Sequence, residues 1–128
     1  MRWSGLILAV LTLASNFHPS EALRIVQFPP NPQVGRTVFL HVEDAQFPIQ
    51  CDWFRGNGVN RNRQILKTEY NQVTARGPAY TGREDLWRGC ALKIQNVQAS
   101  DSGPYTLSML ELRGSEFITA VGHLQVSS

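Results

Sequence analysis

Among the side chains whose types could carry out covalent or metal chemistry are Cys51, Cys90, His41 and His123. A cysteine beside a histidine base can act as a nucleophile, and the four together could bind zinc. Side chains alternate between the two faces of a strand, and Leu40 and Leu124 are expected to face the core. The neighbouring histidines would then lie on the outer faces of different sheets, while both cysteines lie inside.

The remaining signals for catalysis are also missing from the sequence. No carboxylate pair stands within a predicted strand for acid–base work, and there is no glycine-rich phosphate loop. Because a function has to be argued from a site, we predict that the chain is not an enzyme, with no catalytic residue, no metal site and no cofactor.

The elements that position these residues are short strands. The alternating, β-branched or aromatic segments are residues 37–43, 49–55, 63–70, 80–87, 90–97, 105–112 and 117–126. Turn signals separate them at Gly56-Asn57-Gly58 and Gly77-Pro78, and no segment has a helical pattern. Prolines 29, 30 and 32 confine the segment before the first of these strands to a sheet edge. This pattern predicts an all-β sandwich or barrel.

The N-terminus has the features of a secretory leader. Met1–Ala22 combines a basic start, an apolar run and a small-x-small exit, so we expect cleavage after Ala22 and a domain over residues 23–128. An amphipathic or buried N-terminal helix is the alternative. The run is too short to span a bilayer, and we predict a secreted protein without membrane insertion. A net charge of +2 gives no basis for nucleic-acid binding, and no Asn-x-Ser/Thr sequon is present.

Three further features are typical of a variable-type sandwich. Trp53 stands mid-strand, where such a domain places its central indole, and Tyr105 follows a corner that begins at Asp101. Arg83 and Asp101 are spaced as the ion pair that closes the lower end of the domain. These roles are structural.

Several segments together carry a family resemblance. They are residues 62–65 (NRQI), 77–84 (GPAYTGRE), 92–97 (LKIQNV) and 101–107 (DSGPYTL). In order and spacing they resemble the N-terminal domain of the carcinoembryonic-antigen-related cell adhesion molecules (CEACAMs) and pregnancy-specific glycoproteins. The resemblance implies an immunoglobulin V-set β-sandwich that mediates homophilic or heterophilic adhesion through strands G, F, C and C′. It also implies that the usual B–F disulfide is lacking, and Leu40 and Leu107 occupy the two positions.

The two cysteines depart from that family. Cys51 shares the inward parity of Trp53, and Cys90 shares that of Leu92 and Ile94, so an inter-sheet Cys51–Cys90 bond is geometrically plausible. Two buried free thiols and an intermolecular bond are the alternatives.

The outer face of strands G, F, C and C′ is the expected partner-binding surface. Alternation predicts that it includes Phe54, Gln64, Leu66, Ser108, Leu110, Leu112 and Val121. The apolar members would form one exposed stripe, and a contiguous patch marks an interface. An error of one residue in register, or loops that cover the patch, is the alternative. We expect a protein partner, either a second copy or a related V domain.

A carbohydrate-binding V-set lectin and a fragment of a longer receptor are the alternative functions. The lectin is disfavoured because strand F has no arginine before Arg113. The basic residues 55, 61, 63 and 67 could steer an acidic partner or form a solvated rim.

Overall fold

Nine strands form the domain in the computed structural model, which describes residues 23–114 and 116–128. The predicted leader, Met1–Ala22, lies outside the described residues. The strands are β1 (Arg24–Phe28), β2 (Val38–Glu43), β3 (Pro48–Arg55), β4 (Gln64–Glu69), β5 (Gln72–Arg76), β6 (Glu84–Trp87), β7 (Ala91–Ile94), β8 (Gly103–Glu111) and β9 (Ile118–Leu124).

The strands pair in two antiparallel sheets, which confirms the all-β class. One sheet has the order β1-β2-β7-β6 and the other the order β5-β4-β3-β8-β9. In the letters of V-set domains, the first is the ABED sheet and the second is C″C′CFG. β1 is an edge strand, as the prolines that follow it predict.

The core fills the space between the sheets because each strand alternates between apolar and polar residues. In β2, Val38 and Leu40 are fully buried, while Phe39 between them and His41 after them are only partly buried. Trp53 is the largest fully buried side chain and packs with residues of both sheets, including Leu92 and Leu107. The predicted central position of Trp53 is therefore confirmed.

Local structure differs from the sequence prediction in two respects. β5 was not predicted, because its sequence, QVTAR, is polar at most positions and carries a weak strand signal. Three single 3₁₀ turns, Arg61–Arg63, Arg88–Cys90 and Ala99–Asp101, occur where no helix was predicted. A turn of three residues is too short to show the periodic spacing of apolar residues by which a helix is predicted from sequence.

A glycine lets the two sheets approach at one edge. A Cβ atom on Gly122 of β9 would lie 2.6 Å from side-chain atoms of Ile25 in β1. Only a residue without a side chain fits this contact, which brings β1 of one sheet against β9 of the other.

Candidate functional site

The lower end of the domain is closed by the predicted corner. The Tyr105 hydroxyl donates a hydrogen bond to the carbonyl oxygen of Asp101 at 2.6 Å, and Arg83 holds the Asp101 carboxylate through two contacts of 2.7 and 3.0 Å. Burial would raise the pKa of the Asp101 carboxyl. The hydrogen bonds from Arg83 and the Gln98 amide, together with the charge of Arg55, outweigh burial and lower it. Both structural predictions are confirmed.

Arg55 is a member of this network that the sequence did not reveal. Its guanidinium pairs with Glu84, lies 3.2 Å from the Asp101 carboxylate and donates to the Tyr105 hydroxyl at 2.5 Å. Burial is the main reason that the pKa of Tyr105 rises to about 12. Arg55 therefore has a structural role, because its charge is neutralised by two carboxylates inside the domain.

A disulfide joins Cys51 of β3 to Cys90, which precedes β7, and so links the two sheets. Their Cα atoms are 6.1 Å apart, within the range that a disulfide spans. The indole of Trp53 donates to the Cys90 carbonyl at 2.9 Å. Leu40 of β2 and Leu107 of β8 are fully buried in the same core.

The GFCC′ face is the outer surface of β9, β8, β3 and β4, and strand register defines its rows. Phe54 stands beside Thr106, and Thr106 stands beside Val121. Ser108 pairs with Asp52, and Leu110 pairs with Gln50 one row further on. The structure therefore brings the predicted site residues Phe54, Gln64, Ser108, Leu110 and Val121 to one face.

The prediction that Leu66 lies on this face is wrong. A register shift between Trp53 and Phe54 places Leu66 opposite Trp53 and Gln64 opposite Phe54. Because Trp53 points inward, its cross-strand neighbour Leu66 does too, and it is fully buried in the core. One extra residue at a bulge reverses the parity of the positions beyond it.

Leu112 is exposed, but it lies in the turn after β8 rather than within the strand. Its amide donates to the carbonyl of Phe47, an exposed residue of the loop between β2 and β3. The two side chains line a depression of about 370 Å³ at the upper end of the domain. Leu112 thus borders the GFCC′ face at its end.

Phe54 has the predicted orientation, but the prediction that it is exposed is wrong, because the ring is fully buried. The turn after β3 folds back over it: the Thr106 hydroxyl accepts from the Gly58 amide and donates to the Gly56 carbonyl, both at 2.7 Å. The Arg61 guanidinium lies 5.7 Å from the ring centroid. A loop that covers the apolar patch is one of the alternatives that the sequence leaves open.

The centre of the face is polar and internally paired. Asp52 is buried, accepting from Arg61 at 2.7 Å and from Gln64 at 2.9 Å. Lys67 pairs with Glu69 at 3.6 Å. Of the four basic residues considered together from the sequence, Arg55, Arg61 and Lys67 are thus matched with carboxylates, so they do not form one positive patch.

The side chains considered for chemistry do not converge. His41 and His123 lie on β2 and β9, strands of different sheets, and the cysteines are bonded to each other. Within residues 23–114 and 116–128, no three His, Cys, Asp or Glu side chains are grouped so that they could hold a metal ion. No helix in the same part of the chain is long and apolar enough to cross a membrane.

Comparison with known proteins agrees with this architecture. The immunoglobulin V-set domain model matches residues 29–127. The cell adhesion molecule CEACAM16 of Rattus norvegicus is 34% identical over 94 residues, which are 73% of this chain and 22% of that protein. The chain thus spans about a fifth of the length of this curated relative.

Two solved structures are also similar. Murine CEACAM1b has a TM-score of 0.73 and 28% identity, covering 82% of this chain and 53% of that one. A chain in the crystal structure of the mouse coronavirus receptor-binding domain complexed with its murine receptor has a TM-score of 0.67 and 26% identity over the same shares. The similarity is therefore to one domain of longer chains.

Proposed function

Because the chain belongs to the immunoglobulin V-set family and is a CEACAM-like V domain, we propose that it is a secreted recognition module that binds a protein partner through its GFCC′ face. Its relatives are adhesion and receptor domains, and the proposed activity is binding without catalysis. The partner is a second copy of the chain or a related V domain, and the outcome is adhesion or immune modulation.

One observation carries the choice of face. Leu110 and Val121 lie on the adjacent strands β8 and β9, and both are partly open to solvent beside the hydrogen-bonded Asp52–Gln64 pair. Protein interfaces combine apolar contact area with hydrogen-bonded polar groups. Ser108 lies next to Asp52 and adds a hydroxyl at the centre of the face. Leu112 borders it at the upper end.

The charges of the face favour a partner without strong net charge. Asp52 is paired with Arg61, and Lys67 with Glu69, so the two signs are balanced within the surface. A face on which the charges are balanced gives little long-range attraction to a polyanion. Its charged groups instead determine which partner binds and in which register. This supports a protein partner over a sulfated glycan.

The relatives support a protein partner in coarser terms. One of the similar structures is a complex of a viral receptor-binding domain with its murine receptor. A receptor that is similar to this chain over 53% of its length therefore binds a protein.

Matched aspartate substitutions on and off the face test the proposal. Val121 and Val34 are 42% and 43% exposed, so Val121→Asp and Val34→Asp add the same charge at equal solvent access. Sedimentation equilibrium should show self-association of equal strength for the wild type and the Val34 variant, and a much weaker association for Val121→Asp and Leu110→Asp. Self-association that is as strong in both face variants as in Val34→Asp contradicts the use of this face.

A wild type that sediments as a monomer would contradict the homophilic part of the proposal. Binding of the fluorescent chain to cells that display CEACAM-type V domains then tests the heterophilic part, with the same variants. Equal binding by Val121→Asp and Val34→Asp would contradict it.

Secretion rests on the sequence of Met1–Ala22 and is tested separately. Intact-mass measurement of protein recovered from the medium of expressing cells should give an N-terminus at Leu23 and a mass that does not change on N-deglycosylation. Retention of the first 22 residues in the cell-associated protein would contradict secretion.

A further inference from the structure

The outer face of the ABED sheet carries a row of aromatic rings that the GFCC′ proposal does not use. The aromatic stripe consists of Phe28, His41, Phe39 and Trp87, which come from β1, β2 and β6. The ring centroids are 6.1 Å apart between Phe28 and His41, 5.8 Å between His41 and Phe39, and 5.3 Å between Phe39 and Trp87. The four rings are therefore one continuous surface.

Sequence and register explain how the stripe crosses the sheet. Ala91 of β7 pairs with Trp87, shares the outward parity of Lys93, and is fully buried although it is outside the central core cluster. Its small side chain leaves room for the indole to extend across β7 toward Phe39. Phe28 and Trp87 nevertheless remain 57% and 38% exposed. Exposed aromatic area of this kind is typical of an interface.

Charges of both signs border the stripe. Arg24 forms an ion pair with Glu43 at one corner, and Asp85 at another stands beside Lys93, whose Nζ lies 5.1 Å from the centroid of the Trp87 ring. Arg24 of β1 stands at the level of Glu43, whereas Asp85 of β6 pairs with Lys93, four residues lower along β2 at the level of Phe39. Three strand spacings and four residues each amount to about 14 Å, so Arg24 and Asp85 occupy diagonally opposite corners. The stripe passes between these two corners and runs close to the diagonal that joins the other two corners of the face.

We propose that the ABED face is a second self-association surface, in which two copies pack stripe against stripe about a two-fold axis that runs along the stripe. This axis places Arg24 of each copy opposite Asp85 of the other, twice per dimer. No sequon is present in the sequence, so no N-linked glycan is expected to cover the rings.

The size of the surface sets the expected strength. A patch of about 14 Å by 14 Å plus side-chain margins is smaller than the roughly 800 Å² per partner of a standard interface. The contact is therefore weak, and it becomes effective when many copies are held close together. Because the ABED and GFCC′ faces lie on opposite sides of the domain, two-fold contacts through both would build open chains of domains.

A charge exchange in a background that lacks the GFCC′ contact tests this surface independently of the proposed function. Val121→Asp is the background, and association is followed by sedimentation velocity and by ¹H–¹⁵N chemical shifts on dilution. The expected result is weak dimerisation, with dilution shifts at the Trp87 indole and Ala91 amide. Arg24→Glu and Asp85→Arg should each weaken it about tenfold, since each replaces two attractive contacts by repulsive ones.

The double variant Arg24→Glu/Asp85→Arg should restore dimerisation to within about twofold, because it exchanges the signs of both partners. If Arg24 acted only through its ion pair with Glu43 in its own chain, a change at Asp85 would not restore dimerisation. A monomer at the highest attainable concentration, single variants without effect, or a double variant no better than the single ones would overturn the proposal.

Discussion

The indole nitrogen of Trp53 donates a hydrogen bond to the carbonyl oxygen of Cys90, 2.9 Å away, and Cys90 is bonded in turn to Cys51 two residues before the tryptophan. A covalent and a polar link thus join β3 to the segment before β7 at the same point of the core. Trp53 is fully buried, so its fluorescence reports on this junction.

Loss of the Cys51–Cys90 bond should destabilise the domain substantially. The cysteines are 39 residues apart in sequence, and opening a loop of that length costs about 4 kcal/mol on the chain-entropy model. Urea unfolding of Cys51→Ala/Cys90→Ala, followed by tryptophan fluorescence, should give a lower midpoint and a free energy of unfolding that is lower by about this amount. An unchanged midpoint would contradict a stabilising role for the bond.

Tyr105 should make the domain sensitive to alkali. Its pKa is about 12 in the folded state, mainly because the hydroxyl is buried, against about 10 in an unfolded chain. The stabilising contribution is complete below pH 10 and is lost as pH rises toward 12, by up to about 3 kcal/mol. Tyr105→Phe should lack this loss, which urea unfolding across pH 8 to 12 measures. Parallel pH profiles of the two proteins would contradict the assignment.

Asp101 should contribute stability with the opposite pH dependence. Arg83, the Gln98 amide and Arg55 lower its pKa against the effect of burial. The contribution is complete above the unfolded value of about 3.9 and disappears as pH falls through the lower folded pKa. Asp101→Asn should therefore cost about 3 kcal/mol at neutral pH. The difference in free energy of unfolding between wild type and Asp101→Asn, measured by urea unfolding, should become smaller below pH 4. A difference that does not change with pH would exclude the ion pairs as its cause.

Much of the fold could be predicted because it depends on local pattern. Trp53, Arg83, Asp101 and Tyr105 occupy positions that follow from strand alternation and corner chemistry. Inward parity makes the Cys51–Cys90 bond plausible but leaves free thiols and an intermolecular bond as alternatives. The one-residue shift beside Trp53, which sends Leu66 into the core, depends on pairing between strands. Its trace in the sequence is the pair of consecutive apolar residues Ile65 and Leu66, to which strict alternation assigns opposite faces although both are buried.

The candidate site was predicted less completely because exposure depends on loops. Phe54 points outward as its parity requires, but the Gly56–Gly58 turn bonds to Thr106 and covers the ring. The aromatic stripe cannot be predicted from the sequence, because its four rings come from three strands. Only the sheet order brings Phe39 and Trp87 together.

Phe54 should behave as a folding residue, which decides how binding data on this face are interpreted. The ring is fully buried between the Gly56–Gly58 turn and the Arg61 guanidinium, so Phe54→Ala leaves a cavity and should cost about 3 kcal/mol. Val59 of the same turn is exposed, and Val59→Ala should change stability by less than about 0.5 kcal/mol.

Urea unfolding of the two variants separates these expectations. A large loss for Phe54→Ala alone means that any weakening of partner binding by this variant comes through the fold, and the Val121 and Leu110 variants then carry the test of the face. Equal stability of both variants would show that the ring is open in solution. Phe54 would in that case be available to a partner directly, as the sequence predicts.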